Sequence, residues 1–122
     1  MEWYARIMKC DSKWEFDEIL KAYHLGSVYI EEASDRVSFE DISENEFFGW
    51  ETSAWIALAD GKELIYGYYN DDGSNAEFIH IKNGTCIREY REYDFEVDTN
   101  EGSTPAFDTW TDVAKYVDQN LL

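Results

Sequence analysis

The sequence predicts an α+β domain: an antiparallel sheet built around two hairpins, with one N-terminal and one C-terminal helix packed on it. Three observations carry this expectation. One segment near each end repeats apolar residues at i, i+3, i+4 and i+7, the period of a one-sided helix. The stretches between them are rich in aromatic and β-branched residues, as strands are. Two dipeptides that favour two-residue hairpins, Asp60-Gly61 and Asn83-Gly84, punctuate those stretches.

The elements follow in order. A short strand is expected over residues 2–9. Phe16, Ile19, Leu20 and Tyr23 then form the first apolar stripe, with Ser12 and Glu15 spaced as a capping box and Gly26 as a stop. Trp14 falls off that stripe. Further short strands are expected over 27–30 and 37–42. Asp60-Gly61 separates 52–59 from 62–69, and Asn83-Gly84 separates 76–82 from 85–93, so two hairpins joined through 70–75 make a four-stranded meander. Pairing about Asp60-Gly61 sets Trp55 across from Tyr66 and Ile56 across from Ile65. Both faces of this sheet are then apolar, and each needs cover. Residues 98–105 read as a surface loop. The second helix carries Trp110, Val113, Ala114, Val117 and Leu121 on one stripe, with Asp108 or Thr109 as its cap.

A chain of 122 residues suits one domain, taken as 1–122. Its 44% apolar and 17% aromatic content sets it apart from a disordered acidic tail, despite a net charge of -17. That charge, spread over both halves, excludes ordinary nucleic-acid binding, which depends on cations that displace counterions. It excludes anionic membranes for the same reason. Glu2, Arg6 and Lys9 interrupt the place where a signal peptide has its apolar core, and no run reaches the roughly 20 apolar residues of a membrane span. The expected location is the cytoplasm, with Cys10 and Cys86 as free thiols and Asn83-Gly84-Thr85 as a turn rather than a glycan acceptor.

No residue pattern points to catalysis, a metal or a cofactor. His24 and His80 lack neighbours at zinc-ligand spacing. Pairing about Asn83-Gly84 sets His80 across from Ile87 and Cys86 across from Ile81, on opposite faces, which disfavours a thiol-imidazole pair. Residues 70–74 and 98–102 resemble pieces of a calcium loop, without its glycine at position six and glutamate at position twelve.

Two acidic stretches stand out. Over 93–98 strict alternation predicts a strand turning Tyr93, Phe95 and Val97 inward and Asp94, Glu96 and Asp98 outward, at about 6.7 Å between neighbours on a face. Such a row approximates the spacing of backbone phosphates. The plainer reading is an edge guarded by charge. In the other stretch Glu40, Asp41, Glu44 and Glu46 precede Phe47, Phe48, Gly49 and Trp50. Acids beside aromatic anchors are a protein-binding combination, although these aromatics could equally enter the core.

Residues Gly67-Tyr68-Tyr69-Asn70, the run 76–84 and Ile87-Arg88-Glu89-Tyr90, within this layout, resemble small acidic immunity proteins of bacterial polymorphic-toxin and contact-dependent inhibition systems. The resemblance implies a cytoplasmic antidote that binds a basic toxin domain, a nuclease among the candidates, without catalysis of its own. Its implied contact residues are not transferable by motif. Those expected from charge pattern are Asp94, Glu96, Asp98, Glu40, Asp41, Glu44, Glu46 and Trp50. Two alternatives are a phage or plasmid DNA mimic that occupies a nucleic-acid-binding effector, and a small ligand-binding or enzymatic domain with an aromatic pocket around Trp55 and Tyr66.

A surface this acidic repels itself, and about 0.15 M salt shortens the reach of that repulsion to about 8 Å. The melting temperature should therefore rise between low and moderate salt at neutral pH. A flat or falling profile in a thermal scan would instead indicate stabilisation through internal ion pairs.

Overall fold

A computed structural model describes residues 3–9, 28–32, 37–41, 47–70 and 75–121. Its elements are β1 (Trp3–Lys9), β2 (Val28–Glu32), β3 (Val37–Asp41), α1 (Thr52–Ala59), β4 (Leu64–Asn70), β5 (Asn75–Lys82), β6 (Thr85–Tyr93), β7 (Glu96–Glu101) and α2 (Trp110–Asn120). The strands form one seven-stranded sheet of order β2-β3-β1-β4-β5-β6-β7, with antiparallel pairing throughout. The fold is α+β. The stripe from Phe16 to Tyr23, its cap Ser12 and Glu15, Trp14, Cys10 and His24 lie outside the described residues.

Alternation along β4 and β5 divides the core into two layers. Leu64, Tyr66, Tyr68, Ile79 and Ile81 face α1, where they pack with Phe47, Trp55, Leu58 and Ala59. Tyr69, Ala76, Phe78 and Tyr90 face α2, where they pack with Phe107, Val113, Val117 and Leu121. The two-sided cover that the apolar faces demand is thus supplied by one helix on each. The stripe of α2 matches its sequence spacing, and Asp112 caps it by accepting the backbone N–H groups of Asp108 (2.8 Å) and Thr109 (3.2 Å).

Residues 52–59 are a helix, which corrects the first expected hairpin. Trp55, Leu58 and Ala59 are its buried residues, at i, i+3 and i+4. The Asp60-Gly61 signal serves a different purpose. Asp60 adopts the left-handed conformation (φ 50°), its N–H bonds the Ile56 carbonyl at 3.2 Å, and Gly61 continues at φ 77°. The dipeptide ends a helix instead of joining two strands. Trp55 does meet Tyr66, but as a ring stacked from the helix onto the sheet at 4.4 Å. Both side chains are fully buried, and the pair forms part of the core.

The second correction lies at 93–98. Tyr93 pairs with Glu96, and Asp94 and Phe95 form a two-residue turn between β6 and β7. Asp94 and Phe95 both have positive φ, 54° and 68°, as a type I′ turn requires. Phe95 and Val97, expected inward, are 74% and 48% exposed. The alternating row of acids does not exist as one strand face. A bulge breaks it again, because Thr99 pairs with Arg91 and Val97 with Glu92, leaving Asp98 as the extra residue. Residues 96–101, partly expected as loop and calcium-loop fragment, are strand. At Asn83-Gly84 the same turn is built with φ 54° and 76°, the second on a glycine. Phe95 holds that second place at a cost of roughly 1–2 kcal/mol for an L-residue.

A bulge between His80 and Ile81 also shifts β5 against β6, so His80 stands opposite Arg88 rather than Ile87, while Cys86 stands opposite Ile81 as expected. Gly67 sits where α2 crosses β4. A Cβ there would lie 2.6 Å from Val117 Cγ2 and 2.7 Å from Leu121 Cδ1. Gly67→Ala should cost about 1–3 kcal/mol by forcing the helix off the sheet. A lowered urea midpoint with an unchanged slope would show it, and an unchanged midpoint would mean that α2 can slide.

Candidate functional site

Two residues in the middle of the sheet are of the wrong type for a core. Glu77 of β5 is fully buried, and Arg91 of β6, directly opposite it, nearly so. Burying either charge alone would cost several kcal/mol, so they persist only as a pair with their remaining polar atoms satisfied. Arg91 Nη1 lies 2.9 Å from Glu77 Oε2, and Arg91 Nε lies 2.8 Å from Glu89 Oε2. Arg91 Nη2 donates to the Trp50 carbonyl at 2.8 Å, with the Thr52 hydroxyl at 3.5 Å. Nη1 also reaches the Tyr93 hydroxyl at 3.2 Å. Every N–H of the guanidinium has a partner.

Glu77 is equally engaged. It accepts the Tyr66 hydroxyl at 2.8 Å, the Tyr93 hydroxyl, and the Gly49 backbone N–H at 3.2 Å. Glu89 accepts the Thr52 hydroxyl at 2.8 Å. Burial works against the Arg91 charge, but hydrogen bonds to Tyr93 and Glu89 and the field of Glu77 outweigh it and raise its pKa. Burial, reinforced by the Glu77 charge and hydrogen bond, raises the phenol pKa of Tyr66 and Tyr93.

This network floors a recess of about 350 Å³. Its walls come from the turn Gly49-Trp50, Glu51 and Thr52 at the start of α1, Tyr93, and Asp98 and Thr99 of β7. The bulge brings Asp98 onto this wall. Four carboxylates, of Glu51, Glu77, Glu89 and Asp98, stand against the single guanidinium of Arg91. Glu51 and Asp98 are exposed and make no ion pair among the described residues. With Arg91 occupied on all sides, its guanidinium is not available to an anion. The unspent capacity of the recess is negative charge beside the rings of Trp50 and Tyr93, the environment that receives a guanidinium or ammonium group.

Of the expected contact residues, Trp50 and Asp98 meet in this recess, and Glu96 lies beside Asp98 and Tyr93 in an adjoining dip. Asp94 is exposed at the hairpin turn. Glu40 and Asp41 belong to β3, five strand spacings from β7, or about 24 Å at about 4.8 Å each. Glu44 and Glu46 lie outside the described residues. The backbone of Glu40 and Asp41 is thus set apart from β7 along the sheet. Phe47 enters the core, Trp50 is half-buried against Phe47 and Trp55, and Phe48 is 40% exposed.

Glu77, Glu89 and Arg91 were not expected here. Pairing counted from Asn83-Gly84 without a bulge sets Glu77 across from Tyr90, so the ion pair is hidden by one residue of register. His80 binds Glu63 at 2.9 Å, away from the recess. Cys86 is a free, half-buried thiol; burial and the nearby Glu89 push its pKa up, which leaves it a poor nucleophile. No cluster of three metal-ligating side chains and no helix long and apolar enough to cross a membrane occurs among the described residues. Comparison of the chain with known protein families, characterised proteins and solved structures finds no match.

The raised phenol pKa values fix the sign of an alkaline effect. A folded-state pKa above the ordinary 10.0 gives stability that is complete below about pH 10 and is lost as pH climbs toward the folded value. Melting temperature should fall above about pH 10, and Tyr93→Phe should flatten that fall. An identical alkaline slope in Tyr93→Phe would remove Tyr93 from the account.

Proposed function

We propose that this chain is a non-catalytic acidic inhibitor of the immunity-protein kind, which binds a basic protein partner and masks it. The observation that carries the reading is the recess between α1 and β7, where the inner cation is fully committed to the fold and the exposed rim carboxylates of Glu51 and Asp98 make no ion pair among the described residues. Such a site suits a Lys or Arg side chain of a partner, received by the exposed carboxylates of Glu51 and Asp98 beside the rings of Trp50 and Tyr93. A net charge of -17 steers a basic partner toward it from a distance. The DNA-mimic alternative rested on a regular row of Asp94, Glu96 and Asp98, and the turn and bulge in that segment break the row. The pocket alternative rested on Trp55 and Tyr66, which are packed against each other.

Asp94→Asn, Glu96→Gln and Asp98→Asn, made together, should leave folding intact, because exposed substitutions shift stability by under about 0.5 kcal/mol each. Association with the protein encoded by the adjacent reading frame should slow by roughly ten-fold or more at low salt, and its salt dependence should flatten. The pair Glu40→Gln and Asp41→Asn on β3 is the comparison. If the β3 pair slows association and the β7 triple does not, the binding surface lies at the other side of the sheet.

A further inference from the structure

An exposed aromatic stands at the β6–β7 turn. Phe95 is 74% exposed and makes no ring contact among the described residues. Its backbone sits at φ 68°, a conformation that glycine or asparagine adopts at ease and phenylalanine does not. The side chain thus gains nothing from packing, and the turn is more strained than the Asn83-Gly84 turn at the opposite end of β6. Asp94, Glu96 and Asp98 flank it, all exposed, and the 48% exposed Val97 extends the apolar surface behind it.

Resting on the inhibitor reading above, we propose that Phe95 is the apolar anchor of the interface: the tip of the β6–β7 hairpin inserts this ring into an apolar pocket of the partner that is rimmed by Lys or Arg. The chemistry on both sides matches. A rigid ring with few torsions loses little entropy on insertion and dominates affinity when a rim excludes water around it. Here the rim is carboxylate, so the partner's is cationic. The turn is presented from a fixed base, because the adjoining Tyr93 is hydrogen-bonded into the Glu77–Arg91 network and the Asp94 N–H donates to Asn75 Oδ1 at 3.0 Å. The recess lined by Asp98 opens beside the same strand, so one approach seats the ring and brings a basic side chain to the recess.

Anchor and scaffold roles are separable because they move two measurements in opposite directions. Phe95→Gly creates Asp-Gly, a preferred type I′ pair, and should raise the melting temperature by a few degrees. The same variant should bind the protein encoded by the adjacent reading frame at least ten-fold more weakly, mainly through faster dissociation, whereas Phe95→Tyr should bind like the parent chain. Weaker binding of Phe95→Gly together with a lower melting temperature would make Phe95 a residue of the fold and overturn the proposal. Unchanged binding of Phe95→Gly, with the parent chain binding, would overturn the anchor and leave the inhibitor reading standing. Failure of the parent chain itself to bind would overturn both.

Discussion

One buried ion pair holds the functional end of this protein together. Glu77 and Arg91 face each other across β5 and β6, and the atoms that satisfy them come from almost every element nearby. Gly49 and Trp50 supply backbone groups from the turn before α1, Thr52 joins through Glu89 at the start of that helix, Tyr66 reaches across from β4, and Tyr93 closes the ring at the end of β6. Such a pair stabilises little over well-packed apolar residues of the same volume, yet removing one member leaves a charge in a dry interior. Its value is positional. It fixes where α1 begins and where the β6–β7 hairpin departs.

A second buried cation repeats the strategy on the other face. Arg88 has no carboxylate partner among the described residues and is held by carbonyl groups of Pro105 (2.8 Å) and Glu101 (2.7 Å), by Asn100 Oδ1 (2.8 Å), and over the ring of Phe107. Burial lowers its pKa from an ordinary value high enough that the charge remains. These contacts draw the segment after β7 back onto the sheet and deliver Phe107 to the layer beneath α2. In a chain with 10 Lys and Arg against 27 Asp and Glu, Arg88 and Arg91 are spent on internal order, which leaves the acidic exterior less compensated.

How much of this was legible depends on what each residue signals alone. The strands β1 to β6 and the stripe of α2 were readable, because alternation and the helical period each follow from burial of one face. Residues 52–59 were misread since Asp60-Gly61 satisfies a left-handed helix end as well as a hairpin, and the spacing of Trp55, Leu58 and Ala59 was present but outvoted. Residues 93–98 were misread for a different reason. Their alternation of aromatic and acid mimics a strand, and nothing about phenylalanine announces a turn that disfavours it. The ion pair at the heart of the site was hidden by a bulge, a one-residue shift that no local pattern encodes. Trp50 and Asp98, picked out by charge and aromatic pattern, do line one recess, while Phe95 was expected to point inward and stands exposed in a turn.

The β6–β7 hairpin also divides labour in a way that bears on change over generations. Arg91 and Tyr93, just before the turn, are locked into the buried network, whereas the side chains of Asp94, Phe95, Glu96 and Val97 beyond them are exposed. Substitutions of these side chains therefore leave the core packing in place, and several exchanges at Phe95 would free the turn from strain. A lineage can alter these few positions without reopening the packing beneath. Specificity is a difference of affinities between partners, so, on the proposal that the tip makes the contact, single substitutions there retune that difference while the core stays packed.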